Sequence, residues 1–241
     1  MEEKRFVVRA FLETPVILDR GFLTLDALLA AMIFRRTEDP ARALAEIPLK
    51  RTGATWHGSA GFFEPGARTN ACFVRSLSPS DLESGMWQPM KGKYPLYVDQ
   101  ARNDQPNQWR RMNDEYDAVA SASVTWFGCG DAARVRELLI GADPGALNLA
   151  GVGKKVPQGY GRVSNIEIME SDAMPDRSMM LKDGSPARPV PIDEWKAAGG
   201  RDDVCIRLDT FEPPYYSSDA VTCAVPQARF LPWLEIRRLG Q

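Results

Sequence analysis

The stretch that decides the fold runs from Gly151 to Met169 and reads G-V-G-K-K-V-P-Q-G-Y-G-R-V-S-N-I-E-I-M. Its first part carries four glycines and two adjacent lysines, and in its last part Ile166 and Ile168 alternate with Asn165 and Glu167 with the period of a strand. Glycine permits positive φ and lets the backbone approach a ligand closely. The stretch therefore predicts a tight loop leading into a strand, with clustered N–H groups, Lys154 and Lys155 placed to bind anionic oxygens.

The loop matches neither of the two common phosphate-binding motifs. A P-loop requires Ser or Thr after its Gly-Lys pair, where this chain has Lys155, and a glycine at the position of Asn148. A dinucleotide fingerprint opens a helix, whereas a strand follows here. Tyr160 adds an aromatic face on which a nucleobase can stack. A surface loop with incidental lysines stays open as the alternative.

The segments upstream of the loop predict a strand followed by a helix. From Ala118 to Trp126 small apolar residues alternate with Ser and Thr, which indicates a half-buried strand. Asp131 is placed to cap a helix that carries three apolar residues on one face and ends near Gly141.

The N-terminal third repeats the same order of elements. Phe6 to Leu12 alternates as a strand, and from about Thr24 apolar residues recur with helical spacing. Asp39-Pro40 predicts the start of a second, short helix. The ranges 52–63 and 68–75 read as extended.

The predicted order is βαββαβ, a ferredoxin-like (RRM/RAMP) split unit of the α+β class. We assign residues 1–171 to this domain, with an inserted excursion at about 78–116 that is rich in Pro, Gly, Asn and charge. Residues 172–241 predict a β-rich C-terminal part, either a degenerate second RAMP-like unit or an appendage of the first.

Charge and composition bound the function. The chain has 241 residues, is 44% hydrophobic and carries a net charge of −2, which fits one large or two small globular domains. Residues 164–241 hold 9 basic and 13 acidic side chains, against 21 and 19 in residues 1–163. A nucleic-acid surface would therefore be a local patch on the first two thirds of the chain.

Neither membrane insertion nor metal binding is indicated by the sequence. No apolar run is long enough to span a bilayer and no signal segment follows Met1, so we expect a cytoplasmic protein with no membrane partner. The four cysteines are far apart and His57 is the sole histidine. We therefore expect no disulfide framework, no metal site and no cofactor.

A ferredoxin-like unit whose second helix leads through G-V-G-K-K-V-P-Q-G-Y-G-R-V into the last strand resembles the RAMP superfamily of CRISPR-associated proteins. The opening is similar too, with a turn at Pro15 and Gly21 before Leu25-Asp26-Ala27-Leu28-Leu29. That helix start resembles the subunit of type IV CRISPR effector complexes that holds the 5′ handle of the guide RNA. The resemblance covers most of residues 5–170 as a layout.

The resemblance implies a non-catalytic subunit that binds guide RNA (crRNA), contacts other CRISPR effector subunits and reaches target DNA only indirectly through the complex. The sequence independently suggests an anion-binding loop on a sheet able to carry RNA. The candidate RNA-binding residues in and beside the loop are Gly151, Gly153, Lys154, Lys155, Gln158, Gly159, Tyr160, Gly161 and Arg162.

Two further groups complete the candidate RNA surface. Lys50, Arg51, Trp56 and His57 lie close together in the sequence and combine cationic with aromatic side chains. Within the excursion, basic residues interleave with aromatic ones, a pattern that suits single-stranded RNA and resembles the thumb-like hairpin of handle-binding subunits. Its candidate residues are Lys91, Lys93, Arg110 and Arg111.

Two alternatives remain open on the sequence. A lone histidine can act as a general acid or base, so His57 allows a metal-independent endoribonuclease that processes guide RNA. The other alternative is a protein-only scaffold in which the glycine loop is purely structural. Nucleic acid that copurifies with the chain would distinguish the scaffold from the RNA-binding readings.

Overall fold

The computed structural model describes residues 3–18, 21–75, 112–141, 147–171, 173–215 and 219–240. It combines helices with several sheets, which confirms the α+β class. Residue contacts divide the chain into two compact units, one made of residues 1–68 and 119–241 and the other of residues 69–118.

The strands follow one another along the described residues as β1 (Lys4–Leu12), β2 (Val16–Ile17), β3 (Arg51–Thr52), β4 (Thr55–Trp56), β5 (Phe62–Phe63), β6 (Arg68–Arg75), β7 (Met112–Val119), β8 (Ser123–Gly130), β9 (Val163–Glu170), β10 (Val190–Pro191), β11 (Cys205–Asp209) and β12 (Val221–Val225). The helices are α1 (Leu25–Thr37), α2 (Pro40–Ala45), α3 (Ala132–Leu139), α4 (Ile192–Ala197) and α5 (Trp233–Gly240), with a 3₁₀ turn at Val156–Gln158.

The central sheet of the larger unit has the strand order β5-β8-β1-β9, and every neighbouring pair in it is antiparallel. Strand β1 lies between its two long partners. Lys4 at its start is opposite Gly130 of β8, and Leu12 at its end is opposite Val163 of β9. The segments that precede β9 and the segments that adjoin the end of β8 therefore meet the sheet at opposite ends of β1.

One face of this sheet packs against α1 and α3. Phe6, Val8 and Ala10 of β1 lie on that face and are buried, as the alternation predicts. The apolar stripe of α1 is buried against them, which confirms the predicted helix. Asp39 and Asp131 accept backbone N–H groups at the starts of α2 and α3, so both predicted caps are confirmed.

The other face of the sheet is covered by the chain's own C-terminal helix. Phe62 and Phe127 pack with Ile236 and Leu239 of α5 in a second apolar cluster. All eight residues of β8 are consequently buried, so the half-buried strand predicted from the alternation is wrong. The polar residues of β8 are small, and a second covering layer accommodates Ser and Thr where solvent was expected.

The C-terminal region contains the β-rich structure that the sequence predicts. Its three-stranded sheet has the order β10-β12-β11 with antiparallel pairing. Trp195 of α4 is 1% exposed and packs with Val190 and Ala224 of this sheet. Strand β11 leaves Ile206 and Leu208 exposed.

The smaller unit is a pair of strands as far as the structure describes it. Strands β6 and β7 are neighbours in one sheet, and the rings of Phe73 and Tyr116 meet edge to face at 5.8 Å. Strand β7 begins at Met112, before the predicted Ala118, because its exposed positions are acidic and hide its alternation. The predicted strand from Ala118 to Trp126 spans the end of β7 and the start of β8. Residues 76–111, most of the predicted excursion, lie outside the described residues.

Among the described residues, the structure contains no helix that has both the length and the apolar character required to cross a bilayer.

Candidate functional site

The glycine loop, residues 151–162, is held in place by main-chain hydrogen bonds. Lys154 N donates to Ile17 O over 2.8 Å, and Gly161 N donates to Pro15 O over 2.8 Å. Within the loop, Val152 N donates to Gly161 O at 2.9 Å. These bonds fasten the loop to the segment that contains β2.

Several loop residues adopt positive φ, as the glycine content predicts. The φ angles are 84° at Gly153, 93° at Gly159 and 60° at Gly161, and Lys155 also has φ 61°. A Cβ added at Gly161 would lie 2.0 Å from Val152 O, whereas one at Gly159 would meet no described atom within 4 Å. Of these two positions, Gly161 requires glycine for space as well as for conformation, and so does Gly153, where a Cβ would lie 2.5 Å from Ile17 O.

The loop's N–H groups mostly serve the fold. Gln158 and Tyr160 donate to Lys155 O, and Gly159 donates to Val156 O. With the three bonds above, six loop N–H groups already have carbonyl partners. The prediction that clustered N–H groups bind an anion is therefore wrong for these six, because tight turns consume their own donors. Any anion site here depends mainly on side chains.

The loop's predicted side chains differ in exposure. Lys154, Gln158 and Arg162 are exposed, Lys155 and Tyr160 are half-buried, and the backbone positions Gly151 and Gly161 are buried. The guanidinium of Arg162 lies 3.4 Å from the carboxylate of Glu13.

A groove beside the loop adds basic side chains that the sequence did not indicate. Gly153 and Lys154 line it together with Phe22, Asp209 and Thr210. A second groove shares Phe22 with the first. We call the two together the basic groove; its loop, aromatic and arginine residues are Gly153, Lys154, Phe22, Arg68, Arg207 and Arg229.

The arginines of the basic groove are positioned by local contacts. The guanidinium of Arg207 lies 4.9 Å from the ring centroid of Phe22, and its Nε donates to Asp209 over 2.9 Å. Arg229 donates to Gly21 O over 3.0 Å. These side chains come from segments far apart in the sequence, so no sequence spacing could have predicted that they lie together.

The second predicted group surrounds His57, and main-chain bonds attach it to the end of β8. Lys50 N donates to Cys129 O over 2.8 Å, and Cys129 N donates to His57 O over 3.0 Å. His57 N also donates to Lys50 O over 2.8 Å. We call His57, Thr52, Cys129, Asp176 and Ser178 the His57 corner.

Both ring nitrogens of His57 have hydrogen-bond partners. Nδ1 lies 2.8 Å from Asp176 Oδ2, and Nε2 lies 2.8 Å from Thr52 Oγ1. The other oxygen of Asp176 accepts from Ser178 N at 2.9 Å and from Ser178 Oγ at 2.5 Å. Burial by itself would raise the pKa of Asp176, but the hydrogen bonds from His57 and Ser178 outweigh it and lower the pKa to about 2.

Cys129 completes this corner. It is 4% exposed, and its Sγ, a ring nitrogen of His57 and a carboxylate oxygen of Asp176 lie within 4.8 Å of one another. Burial, with the charge of Asp176, raises the pKa of the Cys129 thiol. The sequence analysis missed Cys129 and Asp176, since they are 72 and 119 residues from His57.

The basic residues predicted beside His57 are engaged by carboxylates. The ammonium of Lys50 lies 2.9 Å from the carboxylate of Glu3, and the guanidinium of Arg51 lies 3.0 Å from that of Glu212. Arg51 also lies 5.1 Å from the ring of Trp56. The predicted contacts with phosphate thus compete with ion pairs. Lys91, Lys93, Arg110 and Arg111 lie outside the described residues.

A buried arginine clamps the backbone on both sides of His57. Arg188 is fully buried and donates to Trp56 O at 2.6 Å and to Gly58 O at 3.0 Å. It also lies 3.1 Å from the carboxylate of Asp26, itself fully buried, and donates to the hydroxyl of Tyr215 at 2.9 Å. Burial by itself would lower the pKa of Arg188, but Asp26 and Tyr215 together outweigh it and raise the pKa.

The predicted role of the sheet as an RNA platform needs correction. Helix α5 packs over Phe127 and Phe62, and Arg9 lies over the ring of Trp233 at 3.8 Å. Stacking bases on this face would require α5 to leave it.

The two predicted groups meet the sheet at opposite ends of β1, the loop beside β9 and the His57 corner beside the end of β8. No family model matches this chain. No curated protein matches it either. We therefore infer the function from these residues and their geometry.

Proposed function

We propose that this chain is a non-catalytic RNA-binding subunit of a CRISPR ribonucleoprotein effector complex and holds the 5′ handle of the guide RNA. Other subunits would carry the rest of the guide, and the complex would bind target DNA by base pairing. The observation that carries the proposal is the glycine loop, which presents exposed Lys154 at the basic groove.

The strand order supports a ferredoxin-like assignment. The central sheet contains four strands, which in chain order are β1, β5, β8 and β9. Numbered one to four in that order, they lie side by side in the sheet as two, three, one, four. Helix α1 follows the first of them and α3 the third, as in a βαββαβ unit. The glycine loop then precedes the last strand, the position it has in the RAMP layout.

The basic groove suits single-stranded RNA better than the sheet does. Lys154 and the groove arginines provide cationic partners for phosphates, and Phe22 provides an aromatic ring between them. Asp209 and Asp183 belong to the acidic last third of the chain, so the favourable surface is local. We therefore place the RNA along the loop and the basic groove.

The test replaces the loop lysines and measures the salt dependence of binding. Lys154→Ala with Lys155→Ala should weaken binding of labelled 5′-handle RNA and lower the number of released counterions by up to about two. Fluorescence anisotropy at several salt concentrations measures both quantities. The matched control is Lys182→Ala with Lys196→Ala, which removes the same charge from exposed sites elsewhere.

Equal affinity and equal salt slope in the loop variant and wild type would contradict the proposal. Weakening of the same size in the control would also contradict it, because net charge alone would then explain binding. Sequencing of RNA that copurifies with a tagged chain identifies the handle, and recovery of bare protein from the assembled complex would favour the scaffold.

A second candidate function is supported by the geometry of His57. Its Nδ1 faces the ionised carboxylate of Asp176, an arrangement that orients an imidazole in many general acid–base catalysts. This pairing favours the guide-processing endoribonuclease as the alternative to a binding subunit. The hydroxyl of Thr52 occupies the other ring nitrogen, where a substrate hydroxyl would have to bind.

A further inference from the structure

We infer that His57, Cys129 and Asp176 bind one divalent transition-metal ion, for which Zn²⁺ is the best chemical match. The three side chains offer one nitrogen, one sulfur and one oxygen within 4.8 Å of one another. The inference does not depend on RNA binding, since it concerns the opposite end of β1 from the glycine loop.

The donor set fits zinc in type and in charge. Zn²⁺ binds imidazole nitrogen, thiolate sulfur and carboxylate oxygen at about 2.0–2.3 Å. Tetrahedral coordination then needs donor atoms roughly 3.3–3.6 Å apart, so shifts of about an ångström complete the site. When the ion binds, Cys129 releases its proton to the solvent, and the imidazole proton moves from Nδ1 to Nε2, where Thr52 Oγ1 can accept a hydrogen bond from it. A thiolate and a carboxylate then balance the two positive charges, with a neutral imidazole.

Outer hydrogen bonds already orient two of the donors. Thr52 contacts Nε2 of His57, which leaves Nδ1 directed at Asp176. Ser178 holds the Oδ1 atom of Asp176 through its N and Oγ, which leaves Oδ2 directed at His57. Ligating histidines and carboxylates in metal sites are characteristically fixed by such second contacts.

The three donors come from distant parts of the chain, so a bound ion would join them. His57 follows β4, Cys129 lies in β8, and Asp176 lies between β9 and β10. The ammonium of Lys50 acts on the Cys129 thiol, and the carboxylate of Glu3 lies 2.9 Å from that ammonium. Three protein ligands leave a fourth position for a solvent molecule.

The experiment measures metal binding directly, on a background free of exposed thiols. Cys72 and Cys205 are exposed, so both are first replaced by Ser. The chain is treated with chelator and titrated with ZnCl₂ by calorimetry, and then with CoCl₂ to detect the absorption of a thiolate bound to cobalt. We expect one equivalent of Zn²⁺ and a thiolate-to-cobalt band.

Matched variants assign the ligands. Cys129→Ser should weaken Zn²⁺ binding by tenfold or more and remove the cobalt band, whereas Cys223→Ser, at another buried strand cysteine, should change neither. Asp176→Asn should weaken binding while leaving the band in place. Circular dichroism checks that each variant is folded.

Two results would overturn the inference. One is the failure of the folded background chain to bind Zn²⁺ stoichiometrically. The other is a background chain that binds Zn²⁺ but gives no thiolate-to-cobalt band, which assigns the ion elsewhere. Both readouts use the background chain, so either negative result counts even if Cys129→Ser does not fold, and loss of the band in Cys223→Ser would likewise assign the ion elsewhere.

Discussion

The glycine loop and the His57 corner are built by different means. Main-chain hydrogen bonds to Pro15 and Ile17 hold the loop, and its cationic side chain Lys154 is exposed. The His57 corner also has main-chain hydrogen bonds, but it depends in addition on side chains from distant segments, with Arg188 fully buried behind it. We therefore expect the loop to lose its structure through changes that disturb its backbone and to tolerate side-chain changes. We expect the corner to lose stability when a single buried polar side chain is removed.

The largest expected loss of stability is at Arg188, and it tests whether the His57 corner depends on a buried side chain. Arg188→Ala should reduce the free energy of unfolding by about 3–5 kcal/mol, because it leaves the Asp26 carboxylate buried without its cation. It also removes the Arg188 hydrogen bonds to Trp56 O and Gly58 O, of which Trp56 O still accepts from Gly58 N. Denaturant unfolding measures the change.

Arg134→Ala is the control for Arg188, because it removes a guanidinium whose partner, Glu137, is exposed. Its effect should be far smaller, since exposed ion pairs contribute little. Adding Asp26→Ala to Arg188→Ala should cost less than the two single losses together. Strict additivity would mean that the two buried charges do not depend on each other.

The next effect tests the backbone half of the comparison. Both Gly159 and Gly161 have positive φ, so replacement by Ala costs roughly 1–2 kcal/mol of conformational strain at either site. At Gly161 the added Cβ also approaches Val152 O to 2.0 Å and disrupts a hydrogen bond, which adds roughly 1 kcal/mol or more. Urea unfolding of the two variants compares them directly.

RNA binding should also distinguish Gly159→Ala from Gly161→Ala. Gly161→Ala should weaken handle binding as well as stability, because the shifted backbone moves Lys154 relative to the basic groove. Gly159→Ala should affect binding less. Equal losses of stability in the two variants would show that the contact at Val152 O does not constrain the loop.

The sequence could predict the loop and its flanking elements because their determinants are local. The alternation of β1, the helical stripe of α1, and the caps at Asp39 and Asp131 each involve residues close together in the sequence, and the structure agrees. The positive φ angles at Gly159 and Gly161 follow from glycine content in the same way.

The sequence predictions that were wrong concern features that depend on contacts between distant segments or on the turns of the loop itself. The burial of β8 results from α5, which lies about a hundred residues further along the chain. The loop N–H groups were expected to be open, but turn formation satisfies them. No spacing rule could have placed Asp176 and Cys129 beside His57, because their approach depends on the whole fold.

The smallest expected effect separates the two candidate functions through His57. If the chain is a binding subunit, labelled repeat RNA should stay intact with wild type, and His57→Ala should change its affinity by at most about 1 kcal/mol. The reason is geometric, since Thr52 and Asp176 already engage both ring nitrogens. A general acid–base enzyme would instead lose roughly 10²–10⁴-fold in rate.

Denaturing gels of RNA incubated with wild type, His57→Ala and Asp176→Asn make this measurement. Each reaction is run with chelator and again with added Zn²⁺, because the proposed ion would replace the contact between His57 Nδ1 and Asp176 that orients the ring for a metal-independent ribonuclease. Specific cleavage in chelator that disappears in both variants would replace the binding subunit with the endoribonuclease. Cleavage that requires Zn²⁺ would instead make the metal site catalytic. With the ring held between a hydroxyl and a carboxylate, intact RNA in every lane is the result that the geometry predicts.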